Sequence, residues 1–597
     1  MEHLLQKTED ILRRYFGFDS FRPGQQQVIH NVLKGNDTLC VMPTGGGKSL
    51  CYQVPALAYE GTTIVISPLI SLMKDQVDIL QANGIQAAFI NSSLSYEEID
   101  EVMYDVRRGN IKLLYLAPER LENEGFCRQL SQLTVPFVAI DEAHCISQWG
   151  HDFRPSYRSI QSMLTLWPVK PTVIALTATA TPSVSEDICH LLKIEKENVF
   201  NTGFARDNLT FKVYTGENKD RYLKQYIKNN PNEAGIIYAA TRKTVDSLYE
   251  SLLKQGIAVA KYHAGMNEDE RAFAQNQFLR DEVQIMVATN AFGMGINKTN
   301  VRYVIHYQMP KNMESYYQEA GRAGRDGLLS ECILLYSPSD EQTQRYLIDQ
   351  SKDPARIPIE LEKLQKMVDY CHTENCLQAF IVQYFGDEHY SSCGVCSNCT
   401  DDRPIQDVTE DAQKVLSCII RMGQRYGKTI TAQVLGGSKS KNAIGFKHLS
   451  TYGILKEMSM KEIANFIEFL ISERIILVNL GKLPTIYVSE EGRDVLLGQR
   501  KVFRRKVVIE QKQNHEHDPL FEYLRTIRKE VATSEGVPPF VVFSDKTLRD
   551  MCQKRPLTED AFLEVNGVGL NKLEKYGATF ISAIKKFILE HPNEGNV

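Results

Sequence analysis

From about Asp37 to Ser337 one arrangement recurs: a short β-branched run ends in a small or polar loop, and a helical pattern follows. The first series reads Thr38 to Val41, Thr62 to Ser67, Lys112 to Leu116, Phe137 to Ile140 and Val173 to Leu176. The second reads Gly235 to Tyr238, Ala258 to Tyr262, Gln284 to Val287, Tyr303 to His306 and Cys332 to Tyr336. Strands that alternate with helices wind into parallel sheets. The runs suffice for two such α/β domains, with the break expected near Thr202–Asn208. Ligands of such sheets bind beyond the carboxyl ends of the strands, so chemistry is expected in the loops that follow these runs.

After Pro338 the strand rhythm stops. Arg356 to Phe385 reads as helical, and a cysteine cluster follows from Cys393 to Cys399. Asp407 to Gly498 reads as helices closed by a hairpin (Ile475 to Leu480, a turn at 481–484, Thr485 to Ser489), the pattern of a winged helix. The basic stretch 500–506 reads as a weakly structured linker, and a compact helical unit follows from about Asp518 to Glu590. At 597 residues the chain has room for roughly three to five domains. It contains no apolar run near the ~18 residues of a membrane span, and its polar, acidic first residues do not resemble a signal peptide. Thirteen cysteines then point to a reducing compartment and to thiols or metal. The net charge of −5 confines any nucleic-acid affinity to local patches.

The loop after Val41 reads Met42-Pro43-Thr44-Gly45-Gly46-Gly47-Lys48-Ser49 and opens a helix. Glycines let backbone N–H groups face phosphate oxygens, and the helix N-terminus adds positive potential. In a P-loop, Lys48 reaches the β and γ phosphates and Ser49 binds magnesium. Met42 stands where the general pattern has its first glycine. Phe137 to Ile140 ends in Asp141-Glu142-Ala143-His144. There Asp141 can hold magnesium and Glu142 can take a proton from attacking water. Far downstream, Arg322 and Arg325 lie three apart, the spacing of one helix face, within a glycine-flanked segment. Guanidinium suits a phosphoryl oxyanion, and an arginine finger contributes ~10³–10⁵ in rate in nucleotide hydrolases. A hydrolysis site split between two lobes couples chemistry to lobe movement.

Cys393, Cys396 and Cys399 form a CxxCxxC trio with the spacing of a structural zinc site. Spacing leaves the fourth ligand open between Cys376, Cys371, His372 and His389.

In these residues the chain resembles the RecQ DNA helicases, a branch of helicase superfamily two, over almost its whole length. The resemblance begins at 18–25, similar to the family's adenine-reading motif, and implies that Phe18 stacks on adenine while Arg22 and Gln25 hydrogen-bond it. It continues through 67–72 and 117–121, which in the family line the single-strand path. Its most specific element is 145–155, similar to an aromatic-rich loop that senses single-stranded DNA and signals to the hydrolysis site, with Trp149, Phe153 and Arg154 as DNA contacts. Residues 175–180 resemble a lobe-coupling motif, and 290–297 the second lobe's nucleotide and DNA motif. The resemblance selects Cys376 as the fourth zinc ligand and implies ATP, Mg2+ and Zn2+ as cofactors. The implied domains are two tandem RecA-like domains (1–204 and 205–338), a zinc-binding domain (339–403), a winged helix (404–499), a basic linker (500–516) and an HRDC helical bundle (517–592). The implied activity is ATP-dependent 3′–5′ unwinding of single-stranded and forked duplex DNA in repair and recombination, by a cytoplasmic, nucleoid-associated protein. Single-strand-binding protein and topoisomerase are the partners implied. Lys439, Lys441 and Lys447 are candidate phosphate contacts of the wing, the hairpin tip at 481–484 carries no aromatic strand-separating pin, and 565–569 can meet a phosphate or simply join helices. A non-catalytic junction binder and an RNA helicase of the same superfamily are the competing readings.

Overall fold

The computed structural model describes residues 2–293, 298–350, 353–479, 484–505 and 519–591. Its first seven strands are β1 (Thr38–Val41), β2 (Thr63–Ile66), β3 (Ala87–Ile90), β4 (Leu113–Leu116), β5 (Phe137–Ile140), β6 (Thr172–Thr177) and β7 (Val199–Asn201). They form one sheet in the order β3-β4-β2-β5-β6-β1-β7, and every pairing is parallel. The next six are β8 (Leu209–Thr215), β9 (Ala234–Tyr238), β10 (Val259–Tyr262), β11 (Ile285–Ala288), β12 (Val301–His306) and β13 (Ser330–Tyr336). They form a second parallel sheet in the order β10-β11-β9-β12-β13-β8. Helices cover both faces, so β1, β2, β4, β5, β9 and β11 are buried along their whole length. This is why they read as continuous apolar runs and not as alternating ones. The chain leaves the first sheet at Asn201 and enters the second at Leu209.

The expected helix over 356–385 is two helices, Ile357–His372 and Leu377–Tyr384. Cys376 breaks it by serving as the N-cap of the second, its sulfur accepting the Ala379 N–H at 3.4 Å. The wing comprises helices Thr409–Arg421, Lys428–Leu435 and Met460–Ser472 with the hairpin β15 (Ile476–Asn479) and β16 (Thr485–Val488), counting β14 (Ile405–Asp407) before it. The hairpin tip at 480–483 lies outside the described residues. The expectation of a weakly structured linker from residue 500 is corrected at its start. Phe503–Arg505 forms a strand, β17, antiparallel to β14, because Arg504 lies over the Phe469 ring at 5.0 Å and its Nε donates to Glu374 at 3.3 Å. Residues 506–518 lie outside the described residues.

The last unit, built on helices Pro519–Glu535, Asp545–Lys554 and Ala578–Glu590, packs against both lobes. Asn571 donates to Ala82 O at 3.0 Å in the first lobe, and Lys529 Nζ donates to Asp281 O at 2.8 Å in the second. Among the described residues no helix is long and apolar enough to cross a membrane.

Candidate functional site

The loop after β1 turns sharply at Gly45 (φ 82°) and Gly47 (φ 85°), in the left-handed region that costs side-chain-bearing residues about 1–2 kcal/mol. A Cβ on Gly47 would sit 2.3 Å from Gln25 Nε2. Gln25 is buried under the loop: its Oε1 accepts the Arg22 N–H at 2.8 Å, and its Nε2 donates to Gly46 O at 3.2 Å and Gly47 O at 3.0 Å. Arg22 donates to Gly45 O. Two residues expected at the base therefore also brace the phosphate cradle. Met42 is buried with its Cγ 2.6 Å from where a Gly46 Cβ would be, so its side chain fills the floor of the loop. Lys48 Nζ donates to Met42 O at 3.0 Å.

Asp141 and Glu142 stand at the carboxyl end of β5, next to this loop. Glu142 adopts φ 48°, ψ 48°, a left-handed conformation uncommon for a residue with a side chain and typical of strain kept at functional sites. Its N–H donates to Asp141 Oδ1 at 3.0 Å. Burial, reinforced by the Glu142 carboxylate, pushes the Asp141 carboxyl up to about 7. Burial holds the Lys48 ammonium below its ordinary range, against the pull of Glu142 and Asp141. A triphosphate beside Lys48 and a divalent cation beside Asp141 would each restore the charged form.

Arg322 and Arg325 are brought to the same cleft, but not on a helix face. The helix Met313–Ala320 ends before them, and they occupy the turn that follows. Asp326 anchors that turn through a buried 2.6 Å ion pair with Arg302. One cavity of about 640 Å³ is lined by Phe18, Arg22, Gln25, Thr44, Gly45, Gly47, Lys48, Ser49, Asp141, Glu142, Arg322 and Arg325. Asn566, Gly567 and Lys572 of the last unit close its rim. The Gly567 N–H donates to Gly17 O at 3.3 Å, so in this structure the 565–569 turn joins the last unit to the first lobe.

The aromatic-rich loop lies behind the acidic turn. His151 stacks on His144 with ring centroids 4.3 Å apart and 19° between planes. His144 Nδ1 is 3.3 Å from Glu142 Oε2. Trp149 is 51% exposed. Arg154 pairs with Asp152 at 3.3 Å and donates to Pro68 O at 2.8 Å, tying the loop to the 67–72 segment. Phe153 carries the Arg158 guanidinium 5.3 Å over its ring. Two residues that the sequence did not single out hold the loop from the zinc module: Lys363 donates to Trp149 O at 3.0 Å and Arg356 to Gly150 O at 2.9 Å. Neither carries a local signal: Lys363 is an ordinary basic residue on the helix Ile357–His372, and Arg356 is the residue that precedes it. Of 290–297, residues 294–297 lie outside the described residues.

Cys376, Cys393, Cys396 and Cys399 bring four sulfurs within 4.8 Å of one another. The Cys396–Cys376 and Cys393–Cys399 separations are 3.9 and 4.0 Å. A tetrahedral zinc with sulfurs about 2.3 Å away spaces them by about 3.8 Å, so the set fits. N–H groups of Leu377, Cys393 and Cys396 donate to these sulfurs at 3.2–3.4 Å, as thiolates require. Cys371 and His372 lie outside the cluster, with His372 packed edge-on against Tyr336.

Models of five families match consecutive parts of the chain: DEAD/DEAH box helicase at 22–188, Helicase conserved C-terminal domain at 218–327, RecQ zinc-binding at 338–400, RQC domain at 402–513 and HRDC domain at 517–584. The fold and cleft are those of a two-lobed, nucleotide-driven helicase core with a zinc module attached. The chain is 56% identical over 587 residues to the ATP-dependent DNA helicase RecQ of Bacillus subtilis (strain 168), covering 98% of this chain and 99% of that one. It is 41% identical to the ATP-dependent DNA helicase RecQ of Haemophilus influenzae, covering 96% of this chain and 95% of that one. The chain belongs to the RecQ family of ATP-dependent DNA helicases.

Proposed function

We propose that this chain hydrolyses ATP to move 3′ to 5′ along single-stranded DNA and to unwind forked duplexes in repair and recombination. The observation that carries the reading is that Lys48, Glu142 and Arg325, from two separate sheets, line one cavity. In this reading Phe18 stacks on adenine, and Arg22 and Gln25 join its edge to the phosphate loop. Thr44 to Ser49 cradle the phosphates. Ser49 and Asp141 are the residues that would hold magnesium, which when bound would supply positive charge against that developing on the phosphates. Glu142 accepts the proton of the attacking water, and Arg325 with Arg322 stabilises the transferring phosphoryl group. Trp149 and Phe153 stack on bases, at ~1–3 kcal/mol each, and Arg154, which also ties their loop to Pro68, adds a cationic contact to the DNA. Cys376, Cys393, Cys396 and Cys399 hold a structural zinc.

The exposed Lys439, Lys441 and Lys447 serve the wing as contacts to duplex phosphates. The domain limits given above stand as our proposal, with the linker shortened to begin after Arg505. Family resemblance also supports single-strand-binding protein and topoisomerase as partners and a cytoplasmic, nucleoid-associated location.

Lys48→Ala tests the reading: DNA-stimulated ATP hydrolysis disappears while DNA binding is largely kept. Normal turnover in that variant refutes it. Competition between matched DNA and RNA strands separates this function from RNA unwinding.

A further inference from the structure

The segment that crosses between the lobes sends one side chain back to both walls of the cleft. Arg206 is 8% exposed. Its guanidinium donates to the Thr44 carbonyl in the phosphate loop of the first lobe. The same group donates to the Ala323 and Gly324 carbonyls, at 3.3 and 3.1 Å, in the arginine turn of the second lobe. Its Nε donates to Asn208 Oδ1 at 3.3 Å, and Asn208 Nδ2 in turn donates to Gly324 O at 2.8 Å and Leu328 O at 2.9 Å. The crossing itself is anchored. The Thr202 N–H donates to Val41 O at 3.0 Å, the Tyr317 hydroxyl donates to Phe204 O at 2.8 Å, and Phe204 stacks on Phe385 at 4.5 Å.

Apart from the Asn208 side chain, the acceptors of this buried arginine are main-chain carbonyls on either side of the nucleotide cavity. Burying such a charge is costly, and the nearby Arg325 adds repulsion. A planar fork with five donors is the group that can span several carbonyls at once, and a lysine ammonium cannot reproduce it. The carbonyls it holds are also well placed. In a planar trans peptide the C=O and the next N–H point in opposite directions. Holding Thr44 C=O therefore turns the Gly45 N–H away from Arg206, and holding Gly324 C=O fixes the peptide that carries Arg325.

We propose that Arg206 is an interlobe clamp, a positioning residue that sets the arginine turn against the phosphate loop so that Arg325 meets the triphosphate held by Lys48. The proposal rests on the roles given above to Lys48 and Arg325. It predicts a loss of rate with little loss of nucleotide affinity, because the groups that bind the phosphates remain and only their registry with the second lobe is disturbed.

The test uses the full-length, zinc-loaded protein with R206K, R206A, K48A and R325A. DNA-stimulated ATP hydrolysis is measured per folded molecule, counted by binding of a fluorescent non-hydrolysable ATP analogue. R206K is expected to lower kcat by about 10- to 100-fold, the scale of an ångström-level misplacement, with the KM for ATP changed by no more than about threefold. R206A is expected to lose at least as much. An unchanged kcat per folded R206K molecule, beside inactive K48A and R325A, overturns the clamp alone. A fall in R206K activity that vanishes once the folded fraction is counted also overturns it, because that is what a purely structural arginine would do. Turnover surviving in K48A overturns the underlying reading of the site instead.

Discussion

The Nδ1 atom of His144 lies 3.0 Å from the Thr177 hydroxyl, which ties the acidic turn after β5 to the end of β6. The same ring stacks on His151 of the aromatic-rich loop and approaches Glu142. If Trp149 captures a base, as proposed, the stacked His151 and His144 rings connect its loop to the surroundings of Glu142, and the Thr177 hydroxyl fixes the His144 ring between them. Thr177→Ala removes that hydrogen bond without changing the shape much. The ratio of DNA-stimulated to DNA-free ATP hydrolysis should fall about fivefold, the size of one net hydrogen bond. An unchanged ratio in steady-state assays would mean that the signal takes another route.

The Cys396 sulfur lies in a fully buried residue, 3.9 Å from that of Cys376. Cys396→Ser should abolish bound zinc and lower the melting temperature, because the free energy of a structural zinc site is folding free energy. Elemental analysis of the purified variant checks the first outcome and calorimetry the second. A full equivalent of zinc in C396S would remove this residue from the ligand set.

Gly17 has φ 69°, and a Cβ there would meet Gly569 N at 3.0 Å and Val568 C at 3.1 Å. Gly17→Ala adds about 1–2 kcal/mol of left-handed strain and pushes on main chain that cannot swing aside. The last helical unit should then release its edge of the nucleotide cleft. Hydrogen exchange of the 566–571 amides should speed up, while exchange in β1 stays as it was. Equal protection in both proteins would argue that this contact does not hold the unit down.

Burial, helped by the nearby Lys428 and Arg504 charges, lowers the His372 imidazole to about 3. Since the folded state favours the neutral ring, its contribution to stability is complete above the unfolded value of about 6.5 and is lost as pH falls from there toward about 3. Each unit below about 6.5 costs up to about 1.4 kcal/mol at this site. His372→Gln removes the titration. Between pH 7 and 5 the parent should lose more melting temperature than H372Q, and parallel curves would contradict the assignment.

Several parts of this molecule were readable as local patterns. β1, β5 and the phosphate loop announce themselves because a buried parallel strand needs an unbroken apolar run and a phosphate cradle needs glycine at positive φ. The cysteine trio does so because tetrahedral thiolate binding imposes its spacing. β3 is hidden because Ala87-Ala88 offers no β-branched signal, and β8 lacks the unbroken apolar run of the buried strands because Leu209–Thr215 is buried on only part of its length. The helix break at Cys376 was invisible because a cysteine N-cap looks like any other cysteine in a helical stretch.

The sequence by itself therefore determined most of the strands of both sheets, the loops able to carry phosphate and metal, and the family to which they belong. The tertiary structure alone decided that Arg325 shares a cavity with Lys48, that His151 lies on His144, and that Arg206 spans both lobes. The reason is physical. Backbone conformation and ligand spacing are short-range properties written in neighbouring residues. Proximity between distant residues follows from how whole sheets and helices pack, and a buried bridging arginine has the same letter as one in solvent.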